Sequence, residues 1–181
     1  MTVRLTAAAA IILTTSVGAA AQSQTQTPPP PPPNTCENDP GFNQFDFWVG
    51  SWNVTARNGG QQAGTNLITK VEKNCLIREE WTSVSGGTGQ SINYYNPVSK
   101  KWRQVWVSAG AGGNLIDYEG GLRDGSMVLE GTITYYANGT SFPFRGTWTP
   151  NEDGTVRQFF EQYDETEEKW KGWFDGLYAR Q

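Results

Sequence analysis

Turn signals recur at regular intervals from residue 45 onward, and this spacing constrains the fold more than any other feature of the chain. Nine such signals separate segments of about 8–14 residues that are rich in Val, Ile, Thr, Tyr, Phe and Trp. They fall at residues 58–60, 73–74, 85–87, 96–97, 110–113, 124–125, 138–139, 153–154 and 164–168. No segment keeps a helical period. The pattern therefore predicts an all-β domain of about ten consecutive antiparallel strands.

A flat meander of that size exposes two long edges, each with unpaired backbone donors and acceptors. An up-and-down barrel removes both edges, because its first and last strands pair with each other. A two-sheet sandwich with crossing connections is the alternative, but it usually needs a few longer connections and the sequence shows none. We therefore expect one antiparallel barrel over residues 36–181.

The N-terminal part of the chain has a different composition. Residues 1–21 combine Arg4, a short apolar run and three consecutive alanines, which is typical of a cleaved signal peptide. Residues 22–35 are polar and include six consecutive prolines at 28–33, which favours a disordered, stiff spacer. A docking site for a proline-reading module is the other interpretation of that run. The prediction is an exported protein with no membrane span after cleavage.

The two cysteines, Cys36 and Cys75, fit an oxidising compartment, where an even number of cysteines usually forms disulfides. A bond closing a loop of this length would stabilise the fold by roughly 4 kcal/mol in the chain-entropy model. Two independent thiols are the alternative. A metal site is not expected, because two cysteines without histidine leave the coordination of a metal incomplete.

Composition excludes several classes of function. Aromatic residues make up 13% of the chain, which is enough to build a core. The net charge of −4 argues against a nucleic-acid partner. Histidine is absent, which removes catalytic triads that need imidazole and His-ligated zinc or haem. We expect neither a cofactor nor a metal.

The residues 50–52, Gly-Ser-Trp, stand where the first strand begins, and Arg180 stands at the end of the last one. A Gly-x-Trp at the start and an arginine at the end resemble the lipocalin and calycin barrels. The resemblance implies that Arg180 packs over Trp52 in a cation–π contact worth ~1 kcal/mol. A short aromatic turn before Gly50 would close that end of the barrel.

Several longer segments are similar to an uncharacterised family of exported bacterial lipocalin-like proteins. They are residues 75–81, 89–97, 101–106, 127–131 and 156–158. The resemblance covers nearly all of 36–181 and implies export to the periplasm or the extracellular space and a lipocalin-like barrel. It implies no established activity.

A barrel of ten strands is wide enough to hold a small molecule, so we expect a binding protein for an apolar or amphipathic ligand. Aromatic residues would line the cavity and polar residues would orient the ligand. The candidates are Glu79, Trp81, Asn93, Tyr95, Gln104, Trp106, Arg145, Arg157 and Glu161. In the alternative, the aromatic residues fill a solid core and the charges face water. Aromatic residues occur on both faces of several strands, so alternation leaves the inner face undetermined.

Two further functions remain open. A barrel enzyme of isomerase or cyclase type would need a carboxylate with a raised pKa, for which Glu79 and Glu161 are the candidates. A structural protein of the cell envelope would use the proline-rich segment to hold the barrel away from the membrane or from a partner. The ligand and the oligomeric state are not encoded in any pattern of the sequence.

Overall fold

The computed structural model describes residues 35–109 and 112–181. A short helix, α1 (Thr35–Asn38), and two 3₁₀ helices, Pro40–Asn43 and Asp46–Trp48, precede ten strands. The strands are β1 (Gly50–Ala56), β2 (Gln62–Val71), β3 (Leu76–Ser83), β4 (Thr88–Asn96), β5 (Lys101–Ser108), β6 (Asn114–Arg123), β7 (Ser126–Tyr135), β8 (Ser141–Pro150), β9 (Val156–Asp164) and β10 (Lys169–Arg180). The predicted signal peptide, and the predicted spacer up to residue 34, lie outside the described residues.

The strands form a closed barrel in which each strand pairs with its neighbours in sequence and β10 pairs with β1. All pairs are antiparallel, and Trp52 on β1 lies opposite Arg180 on β10. Each of the nine turn signals falls at or between the ends of consecutive strands. The prediction of an up-and-down barrel of about ten strands is therefore confirmed, and the sandwich alternative is wrong.

The three short helices, called here the helical plug (residues 35–48), close one end of the barrel. Phe45 and Trp48 are fully buried, and their rings stack with centroids 4.9 Å apart. The Phe45 ring also meets Trp102 of β5 and Trp148 of β8 edge-on, at 5.6 Å and 5.2 Å. These contacts join the plug to two separate strands of the wall, so this end of the lumen is filled by aromatic side chains.

Two further features hold the plug in place. The Arg180 guanidinium lies 4.3 Å above the Trp52 ring, the contact that the lipocalin resemblance implied. Arg180 also donates a hydrogen bond to the backbone oxygen of Val49, at 3.1 Å. Cys36 in α1 is bonded to Cys75, which directly precedes β3, with the two Cα atoms 5.1 Å apart. The predicted disulfide is confirmed, and it ties the plug covalently to the barrel.

Candidate functional site

Burial identifies the inner face that the sequence left undetermined. On β8, for example, Phe144, Gly146 and Trp148 are buried, whereas the alternate positions are partly exposed. The same alternation on β3 and β5 turns Glu79 and Gln104 into the barrel. Because the period of a strand is two, one buried residue fixes the facing of the other residues on its strand wherever no bulge interrupts the alternation.

Glycines on neighbouring strands let two inner tryptophans lie against the barrel wall. A Cβ added to Gly64 on β2 would stand 2.7 Å from the Trp81 ring, and one added to Gly89 on β4 would stand 2.2 Å from the Trp106 ring. Each ring therefore occupies the space that a side chain on the neighbouring strand would take. The two large rings then cover the wall without filling the lumen.

A cavity of about 290 Å³ remains in the half of the barrel away from the helical plug. Its walls and rim are aromatic, small or polar, and its deeper part carries polar groups. The described lining residues are Glu79, Trp81, Ser83, Gly87, Thr88, Gln104, Trp106, Ser108, Ala109, Asn114, Ile116, Tyr118, Gln158, Phe160, Trp173, Phe174 and Tyr178. The volume is close to the lower limit for small-molecule sites, which run from about 300 to 1,000 Å³.

A β-bulge on β10 places one more aromatic ring at the mouth. The pairing with β9 shifts between Gly172 and Phe174, so Trp173 is an extra residue on this strand. Its ring meets the inward-facing Phe144 edge-on at 5.5 Å, and its Nε1 donates to the Tyr135 hydroxyl at 3.0 Å. Trp173 is 44% exposed, so it stands between the cavity and solvent.

The deep part of the cavity borders a band of polar side chains, called here the polar belt. It comprises Asn66, Glu79, Ser91, Asn93, Gln104, Tyr118, Gln158 and Tyr178, and none of them is more than 4% exposed. Buried polar groups of this kind are costly unless they bond to one another. The belt meets that requirement through a continuous chain of side-chain hydrogen bonds, except at Asn66 Oδ1, which has no hydrogen-bond partner among the described residues.

Glu79 stands in the middle of the chain. Asn66 Nδ2 donates to its Oε1 at 2.7 Å, and Ser91 Oγ donates to its Oε2 at 2.6 Å. Both partners are neutral and come from the strands on either side of β3. The carboxyl group is therefore held in one orientation by two donors.

One arm of the belt runs from Ser91 across β4 and β5 to β6. Asn93 Nδ2 donates to Ser91 Oγ at 2.9 Å and to the backbone oxygen of Ile77 at 3.2 Å. Gln104 Nε2 donates to Asn93 Oδ1, and the Tyr118 hydroxyl donates to Gln104 Oε1. The amides are thus oriented by their neighbours.

The other arm runs from Asn66 to β10 and β9. Asn66 Nδ2 donates to the Tyr178 hydroxyl at 3.2 Å, and that hydroxyl donates to Gln158 Oε1. The belt therefore links side chains on seven of the ten strands, and Glu79 on β3 is one of them. Its hydrogen bonds hold the polar atoms at fixed positions beneath the aromatic walls.

Burial sets the protonation behaviour of this site. Desolvation raises the pKa of Glu79 from 4.5 to about 7, although the hydrogen bonds from Ser91 and Asn66 act in the opposite direction. Burial also raises the pKa values of Tyr118 and Tyr178 well above 10, and the charge on Glu79 adds to both shifts. Both phenols are therefore neutral at physiological pH, and the carboxyl group changes charge close to neutrality.

The backbone and Cβ of Tyr118 lie close against a glycine in the adjacent strand, which gives a testable prediction. A Cβ on Gly131 would lie 2.2 Å from the backbone oxygen of Asp117 and 2.7 Å from Tyr118 Cβ. We expect Gly131→Ala to lower the free energy of unfolding by about 2 kcal/mol, because the strand must move. Gly121→Ala is the control, since a Cβ there has no atom within 4 Å. Urea unfolding measures both; equal stability of the two variants contradicts the prediction.

Four of the predicted binding residues, Glu79, Trp81, Gln104 and Trp106, line the cavity. Asn93 is fully buried in the polar belt beneath it. Tyr95 also faces inward, but it lies toward the helical plug, where its ring meets Phe42 edge-on at 5.2 Å and lies 6.1 Å from Trp102. Tyr95 is therefore part of the packing at the closed end.

The structure corrects the expectation that three charged candidates face the interior. Arg145 bonds Glu161 through Nε at 2.9 Å and Nη2 at 2.7 Å, and its guanidinium lies 4.5 Å from the Trp170 ring. Arg157 bonds Asp175 at 2.9 Å and 3.0 Å. All these residues are at outward positions of β8, β9 and β10, because their neighbours in sequence point into the barrel. Glu161 therefore does not share the cavity with Glu79.

Several residues of the site were not predicted from the sequence. The other members of the polar belt are Asn66, Ser91, Tyr118, Gln158 and Tyr178, and the rings that border the mouth are those of Trp173 and Phe174. The available signal was that polar residues alternate with hydrophobic ones on the same strand face, as Gln158 does between Val156 and Phe160. That signal becomes usable only when the inner face is known.

A scan of protein family models and a search of curated proteins each gave no match to this chain. None of the helices in residues 35–109 and 112–181 has the length and apolar character needed to cross a membrane. Within those same residues, no group of three or more His, Cys, Asp or Glu side chains is arranged to hold a metal ion.

Proposed function

We propose that this protein is an exported binding protein for a small apolar or amphipathic molecule, which it holds inside the barrel. The observation that carries the proposal is the cavity of about 290 Å³ between aromatic walls and the polar belt. Rings supply apolar contact area, and a few fixed polar groups orient one end of a ligand. A barrel built only for stability would fill this space with larger side chains.

Export is supported by the disulfide between Cys36 and Cys75, since such bonds persist in oxidising compartments. The signal-peptide pattern of residues 1–21 points the same way. The lipocalin-like, bacterial and periplasmic or extracellular assignment rests on the resemblance described above. A fractionation experiment tests this part of the proposal. The processed chain is expected in the periplasmic or culture-medium fraction, whereas a chain produced without the signal peptide is expected to stay in the cytoplasm.

The binding proposal is tested with N-phenyl-1-naphthylamine, an apolar probe whose fluorescence rises in apolar sites. We expect saturable binding, weakened about tenfold or more by Trp106→Ala, because this substitution removes a wall of the cavity. Val107→Ala is the matched control: Val107 adjoins Trp106 but is 47% exposed on the outer face. Absence of saturable binding, or equal affinities of the two variants, contradicts the proposal.

A barrel enzyme is the second candidate, favoured by one observation, the buried carboxyl of Glu79 with a pKa of about 7. The other acid expected for such chemistry, Glu161, lies on the outer face with Arg145. The cavity thus presents one proton-transferring group and two neutral tyrosines. Turnover of a bound ligand, absent in Glu79→Gln, would favour the enzyme over the binding protein.

A further inference from the structure

The cavity has an unusual balance of charge. Glu79 is the one charged residue among the described residues that line it, and no lysine or arginine is among them. The remaining lining is dominated by aromatic rings, including those of Trp81, Trp106 and Trp173. Aromatic faces are electron-rich and attract cations, so the aromatic walls and the carboxyl group of Glu79 both favour a positively charged ligand.

Glu79 also lacks a cationic partner on the strands around it. The neighbouring strands β2 and β4 supply Asn66 and Ser91, which are neutral donors. The ionisable groups that face it from farther around the barrel are Tyr118 and Tyr178, and both are neutral. A buried carboxylate is costly unless a positive charge accompanies it.

The geometry leaves room for such a partner. A carboxylate has about four acceptor positions, and the two bonds from Asn66 and Ser91 leave the others unused. Both donors already point at the carboxyl oxygens, which suits the ionised form. Because Glu79 lines the cavity, a ligand inside it reaches this group directly.

We propose that the barrel selects organic cations: primary or secondary amines on an apolar, preferably aromatic, body, with the ammonium group paired to Glu79. This inference rests on the proposed small-molecule function and names its ligand class. The ammonium hydrogens bond the carboxylate, and the body of the ligand packs between Trp81, Trp106 and Phe160. A carboxylate ligand of equal size meets a like charge and no compensating cation.

The test compares three molecules that share one body and differ in the headgroup: 4-phenylbutylamine, 4-phenylbutanol and 4-phenylbutyrate. Titration calorimetry at pH 8 is expected to show the amine binding at least about tenfold more tightly than the alcohol, with the butyrate weakest. Glu79→Gln is expected to remove the advantage of the amine over the alcohol. Glu119→Gln keeps it, because Glu119 lies on the outer face, paired with Lys101.

The pH dependence gives a second readout. Between pH 6 and pH 8 the amine is expected to bind about tenfold more tightly, since Glu79, with a pKa of about 7, becomes ionised over this range. The affinity of the alcohol is expected not to rise. A simple packing role for Glu79 would give no such difference between the two ligands.

Two results overturn the inference and separate it from the proposed function. If N-phenyl-1-naphthylamine binds in the cavity but the amine has no advantage over the alcohol or the butyrate, cation selection is wrong and the binding function stands. If neither the probe nor any of the three phenylbutyl compounds binds, both proposals fail.

Discussion

Glu79→Gln is expected to raise the free energy of unfolding relative to wild type by about 3 kcal/mol more at pH 8 than at pH 4.5. The folded protein holds the Glu79 proton with a pKa of about 7, against an ordinary value of 4.5. Between these values the folded state binds more protons than the unfolded chain. The stability that the protonated carboxyl contributes is therefore complete below about pH 4.5 and is lost as the pH rises through 7.

Glutamine does not titrate, so the variant lacks this loss, while Asn66 and Ser91 remain beside an uncharged side chain. The measurement is urea unfolding of both proteins at several pH values from 4.5 to 8. Glu119→Gln is the control, and we expect it to change stability by less than about 1 kcal/mol, because its ion pair with Lys101 is solvent-exposed. Parallel stability curves for wild type and Glu79→Gln would show that the carboxyl is not desolvated.

Trp148→Ala is expected to lower the free energy of unfolding by about 4 kcal/mol. Trp148 is fully buried, and its ring lies 5.2 Å from Phe45 in the helical plug and 5.4 Å from Phe160 in the barrel. Its removal leaves a cavity where the plug meets the wall, and both the transfer of apolar surface and the void contribute to the cost. Chemical denaturation measures the change.

Two substitutions control for the loss of a tryptophan as such. Trp170→Ala removes a half-buried ring on the outer face, beside Arg145 and Tyr163, and is expected to cost about 1 kcal/mol. Trp148→Phe retains most of the ring contacts and is expected to lose less than Trp148→Ala. A loss for Trp148→Ala no larger than that for Trp170→Ala would mean that the plug contributes little to stability.

If Glu79→Gln gains stability over wild type as the pH rises, Glu79 is a residue that lowers the stability of the ligand-free protein at neutral pH. Such a residue is expected at a functional site, where a charge is kept ready for a partner at a cost to the fold. The ion pairs of Arg145 with Glu161 and of Arg157 with Asp175 differ, because both charges of each pair are on the protein. This contrast is why the proposed selection of organic cations depends on Glu79 and not on the outer pairs.

The strand count was predictable because tight turns need particular residues. Asp124-Gly125, for instance, takes positive φ at both positions, a conformation for which this pair is suited. Cys36 and Cys75 were paired from the compartment alone, and Trp52 and Arg180 from resemblance. These features depend on local chemistry or on a short motif, so they can be predicted from the sequence alone.

The composition of the site was only partly predictable. Glu79, Trp81, Gln104 and Trp106 were expected at the cavity and line it. Arg157 and Glu161 were assigned to the wrong face, because aromatic residues on both sides of β9 hide which side is buried. Arg145 was also assigned to the wrong face, although the aromatic residues of β8 all alternate with it and so mark the opposite face as the buried one. Trp173 was missed because a bulge breaks the alternation on which the sequence argument depends.

The amino-acid sequence by itself determined an all-β chain of ten segments with a disulfide at its N-terminal edge, since turn chemistry and residue type act locally. Only the tertiary structure decided which strand faces line the interior. It also decided that glycines on β2 and β4 leave the space that the rings of Trp81 and Trp106 occupy. It decided as well that the Glu79 carboxyl lies in the interior with no lysine or arginine among the described residues that line the cavity. These outcomes depend on register and on packing across strands distant in sequence, and no single strand contains that information.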